Sequence, residues 1–457
     1  MQTTAPMAAV LVMAIASGSL AADWPQFLGP ARNSTSPETG LLRSWPDDGP
    51  AVLWTVKVGK GFGGPVVQDG KVYLLDRDDE VGDNLRCFDL ADGKELWSYA
   101  YDAPGSVMFP GSRGVPTVDG DRVYTCGHNG DLHCIDVTTH KPIWKANVWT
   151  DFGGKPPTSG GGFRRGPTEP GTFPVWAVTQ NPLVYGDLLI VASQAPEAGV
   201  VAYDKLTGDV KWKTPSLGYV GYVSPSVVKI DGNEHLVMVT PSTNPFRSAP
   251  GEHNLGKFVG IEPLTGKILW QYEGWHCHIS VSPAIDAGEN RVLVVGGYEL
   301  GATMIEVSRQ DDGSYVAKER FTTEEFGDQT KPPILHNGYF YAQYGTNTRR
   351  DGLCCMNMDG EIMWKTKRDP SFNKGSMILV DGLIIATDGE KSLYLIEPDP
   401  QEYKQLASVE LLGEGGGDGG FGGRIGGRSQ NWAPLAISDG KLLIRDQAEM
   451  KCVQVTK

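Results

Sequence analysis

A basic surplus is what this chain most clearly lacks. It carries 41 lysines and arginines against 55 aspartates and glutamates, for a formal net charge of −14. That balance excludes the basic face with which a nucleic-acid partner would be held. Beyond residue 20 no apolar run is long enough to span a bilayer, and none recurs at helical spacing, so helix should be scarce. Cysteine is sparse and odd in number, seven at positions 87, 126, 134, 277, 354, 355 and 452. Complete pairing into disulfides is therefore excluded. The glycine-rich run 413–432 is not a phosphate loop, because it lies between strands, precedes no helix and lacks a terminal Lys-Ser or Lys-Thr. No acidic-and-asparagine set announces a calcium site, and no paired acids suggest glycoside hydrolysis.

What the chain has is repetition. Five times a tryptophan falls four residues after a turn: Gly93 to Trp97, His140 to Trp144, Gly208 to Trp212, Gly266 to Trp270 and Gly360 to Trp364. A repeat of this kind marks one supersecondary unit that buries its apolar face by stacking on its neighbours. A second signal is a tight turn at Asp69-Gly70, Asp119-Gly120, Gly186-Asp187, Asp231-Gly232, Ala287-Gly288, Asn337-Gly338, Asp381-Gly382 and Asp439-Gly440. These residues suit the positive φ of hairpins, and the β-rich runs between them read as four-stranded antiparallel meanders. Eight units follow. Two lack the tryptophan, and its place should fall near Phe321 in one and Leu411 in the other.

The last unit stops after three strands, while the orphan strand Val52–Val58 carries Trp54 at the expected place. If that strand completes the last unit, the array closes into a ring with no free sheet edge between its ends. The expected fold is all-β, an eight-bladed β-propeller over residues 51–457. Residues 1–21 read as a signal peptide, with an apolar run from Met7 to Leu20, and 22–50 as a leader segment. Export is expected, to the periplasm or outside the cell, as a soluble monomer. No cysteine follows the apolar run to carry a lipid.

The cysteines and histidines leave choices open. A three-residue loop would set Cys126 opposite Cys134, whereas a two-residue turn would set Cys126 opposite His133. Cys354 and Cys355 sit on a third strand, where neighbours point to opposite faces, which favours two separate thiols over a strained vicinal disulfide. His276 and His278 share one face if extended, as a metal pair needs, yet two imidazoles fall short of a zinc set, and no metal is expected.

Function belongs to the loops that converge on one rim of a propeller. Those loops collect Arg113, Arg164, Arg165, Tyr219, Tyr222, His276, His278, Lys331, Asn347, Arg349, Arg350, Lys374, Arg424, Arg428 and Trp432. Aromatics and arginines anchor protein partners. Convergent Arg and Lys, with Arg113, Lys331 and Lys374 just before inner strands, would equally receive a small anionic ligand in the central channel. Trp54, Trp97, Trp144, Trp212, Trp270 and Trp364 are instead structural, docking blade on blade.

The runs Asp89–Trp97, Asp204–Trp212 and Glu262–Trp270 resemble the tryptophan-docking repeat of pyrroloquinoline-quinone-type propellers, and the likeness covers roughly residues 50 to 457. Asp23–Asn33 with Trp45-Pro46 also resembles the leader of exported propellers abundant in planctomycete-like bacteria. Within that superfamily the resemblance implies two functions. One is the outer-membrane protein assembly factor of the Bam type, a non-catalytic scaffold. The other is the quinoprotein alcohol dehydrogenases, which hold the quinone with calcium, a catalytic aspartate and an aromatic floor. A quinone enzyme needs cations for three carboxylates, a bound metal and a carboxylate base. Only the cations are visible, so the expected function is a binding or scaffolding module of the cell envelope, with an oxidoreductase acting on alcohols or sugars as the alternative.

Overall fold

The computed structural model describes residues 22–105, 109–157, 171–174, 176–219, 221–241, 255–276, 282–345, 350–413 and 430–457. It is an eight-bladed β-propeller of antiparallel four-stranded sheets, with a single short 3-10 turn at Thr150–Phe152 among the described residues. Among them no helix is long and apolar enough to cross a membrane. The blades begin at inner strands Val66–Gln68, Thr117–Asp119, Leu183–Tyr185, Ser226–Ile230, Ile285–Asp286, Ile334–His336, Met377–Val380 and Ala436–Ser438. The first inner strand abuts both the second and the last, which closes the ring.

Closure is made as the chain ends implied. The strand Val52–Lys57 pairs antiparallel with Glu449–Gln454 and becomes the outer strand of the last blade, with Trp54 opposite Cys452. Both backbone edges at the seam are thereby hydrogen-bonded.

All but one of the six docking indoles lie against a turn of the next blade. Trp54 donates its indole N–H to the Leu90 carbonyl at 3.0 Å, Trp144 to Lys205 at 3.1 Å, Trp212 to Pro263 at 3.1 Å and Trp364 to Asp399 at 2.8 Å. Glycine makes room where the Trp54, Trp144 and Trp212 rings come down, at Gly93, Gly208 and Gly266. A Cβ at Gly93, whose φ is +74°, would lie 2.7 Å from the Trp54 ring. Trp97 meets a histidine at this point and stacks on His140 at 4.7 Å. Trp270 departs from the pattern and donates to Nδ1 of His235 in its own blade, at 3.0 Å.

The substitutes for tryptophan are only half as expected. Phe321 does stand against Gly360, in register with Met304. In the seventh blade, however, the position equivalent to tryptophan is Ala407, opposite Leu395, and not Leu411, which lies past the strand end. The bulge that follows the docking position in the other blades falls here between Leu395 and Ile396, which fixes the register. Cys126 faces Leu132 and Cys134 faces Tyr124, so neither register considered from sequence is adopted: the turn is centred on Asn129, closed by the Gly127 N–H donating to the Asp131 carbonyl at 2.8 Å. Cys354 and Cys355 are buried, and their neighbours on the adjoining strand are Ala342 and Tyr341 respectively.

Apolar side chains on both faces of each sheet pack against the neighbouring blade, as in the cluster joining Leu183, Val228, Phe258 and Val292 across three blades. Residues 22–50 pack onto the ring rather than trailing from it. Thr35–Ser36 adds a parallel fifth strand to the channel edge of Met377–Val380, and Trp24 bridges to Val67 of the first inner strand.

Candidate functional site

The mouth of the central channel lies where the chain enters the inner strands, opposite the tight turns. Phe62 precedes the first inner strand, Arg113 the second, Trp176 the third, Tyr222 the fourth, Asp328 and Lys331 the sixth, Lys374 the seventh and Trp432 the eighth. Entry segments from distant parts of the sequence thus meet around one axis.

Five half-buried aromatic rings form a continuous arc there. Tyr222 lies 5.1 Å from Trp176, Trp176 6.5 Å from Phe109, Phe109 6.0 Å from Trp432, and Trp432 stacks on Phe62 at 5.3 Å. The Tyr222 hydroxyl accepts a hydrogen bond from the backbone N–H of Trp176 at 3.0 Å. Spacings of this order are those of favourable offset and edge contacts, so the arc is held before anything binds.

Three cations line the same arc. The Arg113 guanidinium stands 5.5 Å over the Phe62 ring and donates to the carbonyls of Phe109 and Gly111 at 2.5 and 3.0 Å. The Lys374 ammonium lies 4.7 Å over the Trp432 ring. Lys331 donates to the Trp432 carbonyl at 2.7 Å. Only 8% of Lys331 and 6% of Lys374 is exposed, and burial pulls both amines down to about 8, against the partial restoring attraction of Asp328. Burial likewise lowers Arg113 to about 10.

Asp328 is the acid of this group. One carboxylate oxygen accepts the backbone N–H groups of Thr330 and Lys331 at 2.9 and 3.0 Å, fixing the turn that presents Lys331. The other is buried without a hydrogen-bond partner among the described residues. Desolvation raises the acid to about 6, against the backbone bonds and Lys331.

A buried network sets the loop that carries Phe109 and Arg113. Arg77 pairs with Asp83 at 2.8 Å, both side chains fully buried, and donates to the carbonyls of Ala103 and Gly105 at 2.7 and 2.6 Å. Asp83 also accepts the His128 backbone N–H at 2.9 Å. Breaking one partner of such a pair strands a buried charge, so the loop base is rigid.

Of the site residues expected from sequence, Arg113, Tyr222, Lys331, Lys374 and Trp432 come together at this mouth. Tyr219 lies nearby, its backbone N–H donating to Pro241 at 2.6 Å. Arg350 is exposed at the start of the strand Arg350–Asn357, and His276 ends the strand Ile268–His276. Arg164, Arg165, His278, Asn347, Arg349, Arg424 and Arg428 lie outside the described residues, as does the His276 side chain. Phe109 and Trp176 also join the mouth, from the converging loops that carry the expected residues, and two further members, Phe62 and Asp328, escaped sequence reading. Phe62 sits in a short Gly-Phe-Gly-Gly segment that drew no notice, and Asp328 is one of many aspartates, marked only by the Asp-x-Thr-Lys turn it caps.

The arrangement can hold a flat or carboxylate-bearing group between aromatic faces and three cations. Among the described residues no group of three or more His, Cys, Asp and Glu side chains could hold a metal. The cations and Trp432 fit the carboxylates and flat ring of an anionic quinone.

A family model described as outer membrane protein assembly factor BamB matches residues 36–155 and 82–343. The quinohemoprotein alcohol dehydrogenase ADH IIB of Pseudomonas putida is 24% identical over 353 residues, which is 67% of this chain but only 42% of that protein. Among solved structures, quinohemoprotein alcohol dehydrogenase from Comamonas testosteroni superposes with a TM-score of 0.61 at 14% identity, covering 95% of this chain and 81% of that one. BamB from Moraxella catarrhalis gives 0.54 at 11% identity, covering 89% and 99%. At these identities the two structures speak for fold alone.

Proposed function

Since the chain belongs to the outer membrane protein assembly factor BamB family, we propose that it is a non-catalytic binding module of the cell envelope, exported by residues 1–21 and holding a protein partner at the channel mouth. The observation that carries this reading is the preformed arc of five aromatics with Arg113, Lys331 and Lys374 on a closed, rigid ring. Aromatic anchors next to cations suit an acidic, aromatic-bearing loop of a partner. The test is photocrosslinking in intact cells, with a benzoylphenylalanine at position 109 and, as control, at the perimeter position 264. Capture of one discrete acidic partner from position 109 alone supports the reading, and equal capture from both positions refutes it.

A second reading, a quinone-dependent oxidoreductase, is favoured by one feature: Lys331 and Lys374 are sunk in the channel rather than raised on its rim. In that case Arg113, Lys331 and Lys374 would hold the carboxylates and Trp432 the ring plane. The quinone would supply the redox chemistry. Tryptophan-fluorescence titration with pyrroloquinoline quinone, with and without calcium, followed by a dye-linked alcohol oxidation assay, separates the readings. Calcium-dependent saturable quenching with turnover selects the second.

A further inference from the structure

The leader does something that neither reading of the mouth requires. At the turn-side end of the channel it pairs with the inward edges of three blades. The Val67 amide donates to the Trp24 carbonyl at 2.9 Å, Val118 to Pro25 at 2.8 Å and Leu379 to Ser34 at 2.8 Å. These donors sit in the inner strands of the first, second and seventh blades, on edges that a propeller ordinarily leaves facing its axis.

Glu38 fastens the segment to the eighth blade. Its carboxylate, 3% exposed, accepts the backbone N–H groups of Asp439 and Gly440 at 2.6 and 2.9 Å, on the tight turn of that blade. Asp381, on the turn of the seventh blade, reciprocates by accepting the N–H groups of Gly40 and Leu41 at 3.1 and 3.0 Å, and it pairs with Arg43 at 2.9 Å. Trp24 and Leu41 are each 2% exposed within the core cluster that joins the first, seventh and eighth blades.

We propose that residues 22–43 are a separable stopper, seated by strand augmentation, which seals the turn-side end of the channel and makes it a well open only at the aromatic mouth. A ligand or partner loop then enters and leaves by one face, whichever occupant the mouth takes. The stopper is separable because it is held by edge hydrogen bonds, the carboxylate contacts of Glu38 and Asp381 and the two apolar anchors Trp24 and Leu41, while each blade keeps its own four-stranded ladder without it.

The test uses the full mature chain with Glu38→Ala and Trp24→Ala combined. Hydrogen exchange is followed at the amides of Val67, Val118 and Leu379, and maleimide labelling at a cysteine placed by Ser36→Cys, a site 5% exposed in the leader strand. The expected result is that the three amides exchange at least tenfold faster together and the cysteine labels at least tenfold faster, while strand amides of the fourth and fifth blades hold their rates. Unchanged exchange at the three amides, or an equal rise in the fourth and fifth blades, overturns the proposal, since the leader would then be either fixed or inseparable from the whole fold.

Discussion

Replacing Lys374 by methionine should make the protein more stable at neutral pH while weakening whatever binds at the mouth. The amine falls from 10.5 to about 8 because burial penalises its charge. At roughly 1.4 kcal/mol per pH unit, holding it charged costs about 3 kcal/mol. Its contact with the Trp432 ring returns about 1–2 kcal/mol, so the net gain on substitution is about 1–2 kcal/mol. The sign follows from linkage: with the folded pKa depressed, the unfolded chain takes up the proton first as pH falls from 10.5. The penalty grows until about pH 8 and is constant below. Urea unfolding of wild type and K374M at pH 7 and pH 10 measures this directly. The gain should be present at pH 7 and largely gone at pH 10, and ligand affinity should be reduced more than tenfold in the variant. A variant less stable at pH 7, or one shifted equally at both pH values, would refute the account of a buried, undercompensated cation.

Other outcomes follow from the same geometry. Trp54→Ala removes a seam-docking ring and its bond to Leu90, and should cost about 3–5 kcal/mol, whereas Leu264→Ser, at a side chain 63% exposed, should stay within about 0.5 kcal/mol in the same unfolding assay. Gly93→Ala should destabilise far more than Gly40→Ala: both have positive φ, but only at Gly93 does the added carbon meet an indole, and thermal melts separate the two. Asp328 is raised to about 6, so the stability it lends is complete below about pH 4 and lost as pH rises through 6. Asp328→Asn should flatten the unfolding midpoint across that window.

The architecture was legible because its determinants are local and repeated. Asp-Gly and Asn-Gly turns announce hairpins, and the tryptophan four residues past a turn announces docking, so Val52–Lys57 could be matched to the incomplete last blade from pattern alone. The failures mark where local pattern stops deciding. Ala407 was missed because a small residue has no hydrophobic signature, and its place is set by a bulge. The turn after Cys126 was misplaced because its centre depends on which residues the sheet pairs. At the mouth, Arg113, Lys331 and Lys374 could be placed before inner strands from pattern, and Tyr222 and Trp432 in the converging loops. Phe62 and Asp328 were not, since their roles come from neighbours remote in sequence. Residues 22–50 were read only as a leader segment, because strand pairing with a channel edge leaves no periodicity in so short a stretch.

The splice that completes the eighth blade also governs when the molecule can finish folding. Residues 52–57 are synthesised long before their partner strand, residues 449–454, because the rest of the ring lies between them in the chain. Every other blade is assembled from contiguous chain, so seven sheets can form in order of synthesis while the first strand waits without its ladder. Val52 and Leu53 are exposed even in the finished ring. The waiting strand is thus a sticky edge throughout synthesis, and ring formation is a single late event with a large loop-closure cost. Yield should therefore depend on chaperoning of the nascent N-terminal region more than on the stability of any one blade.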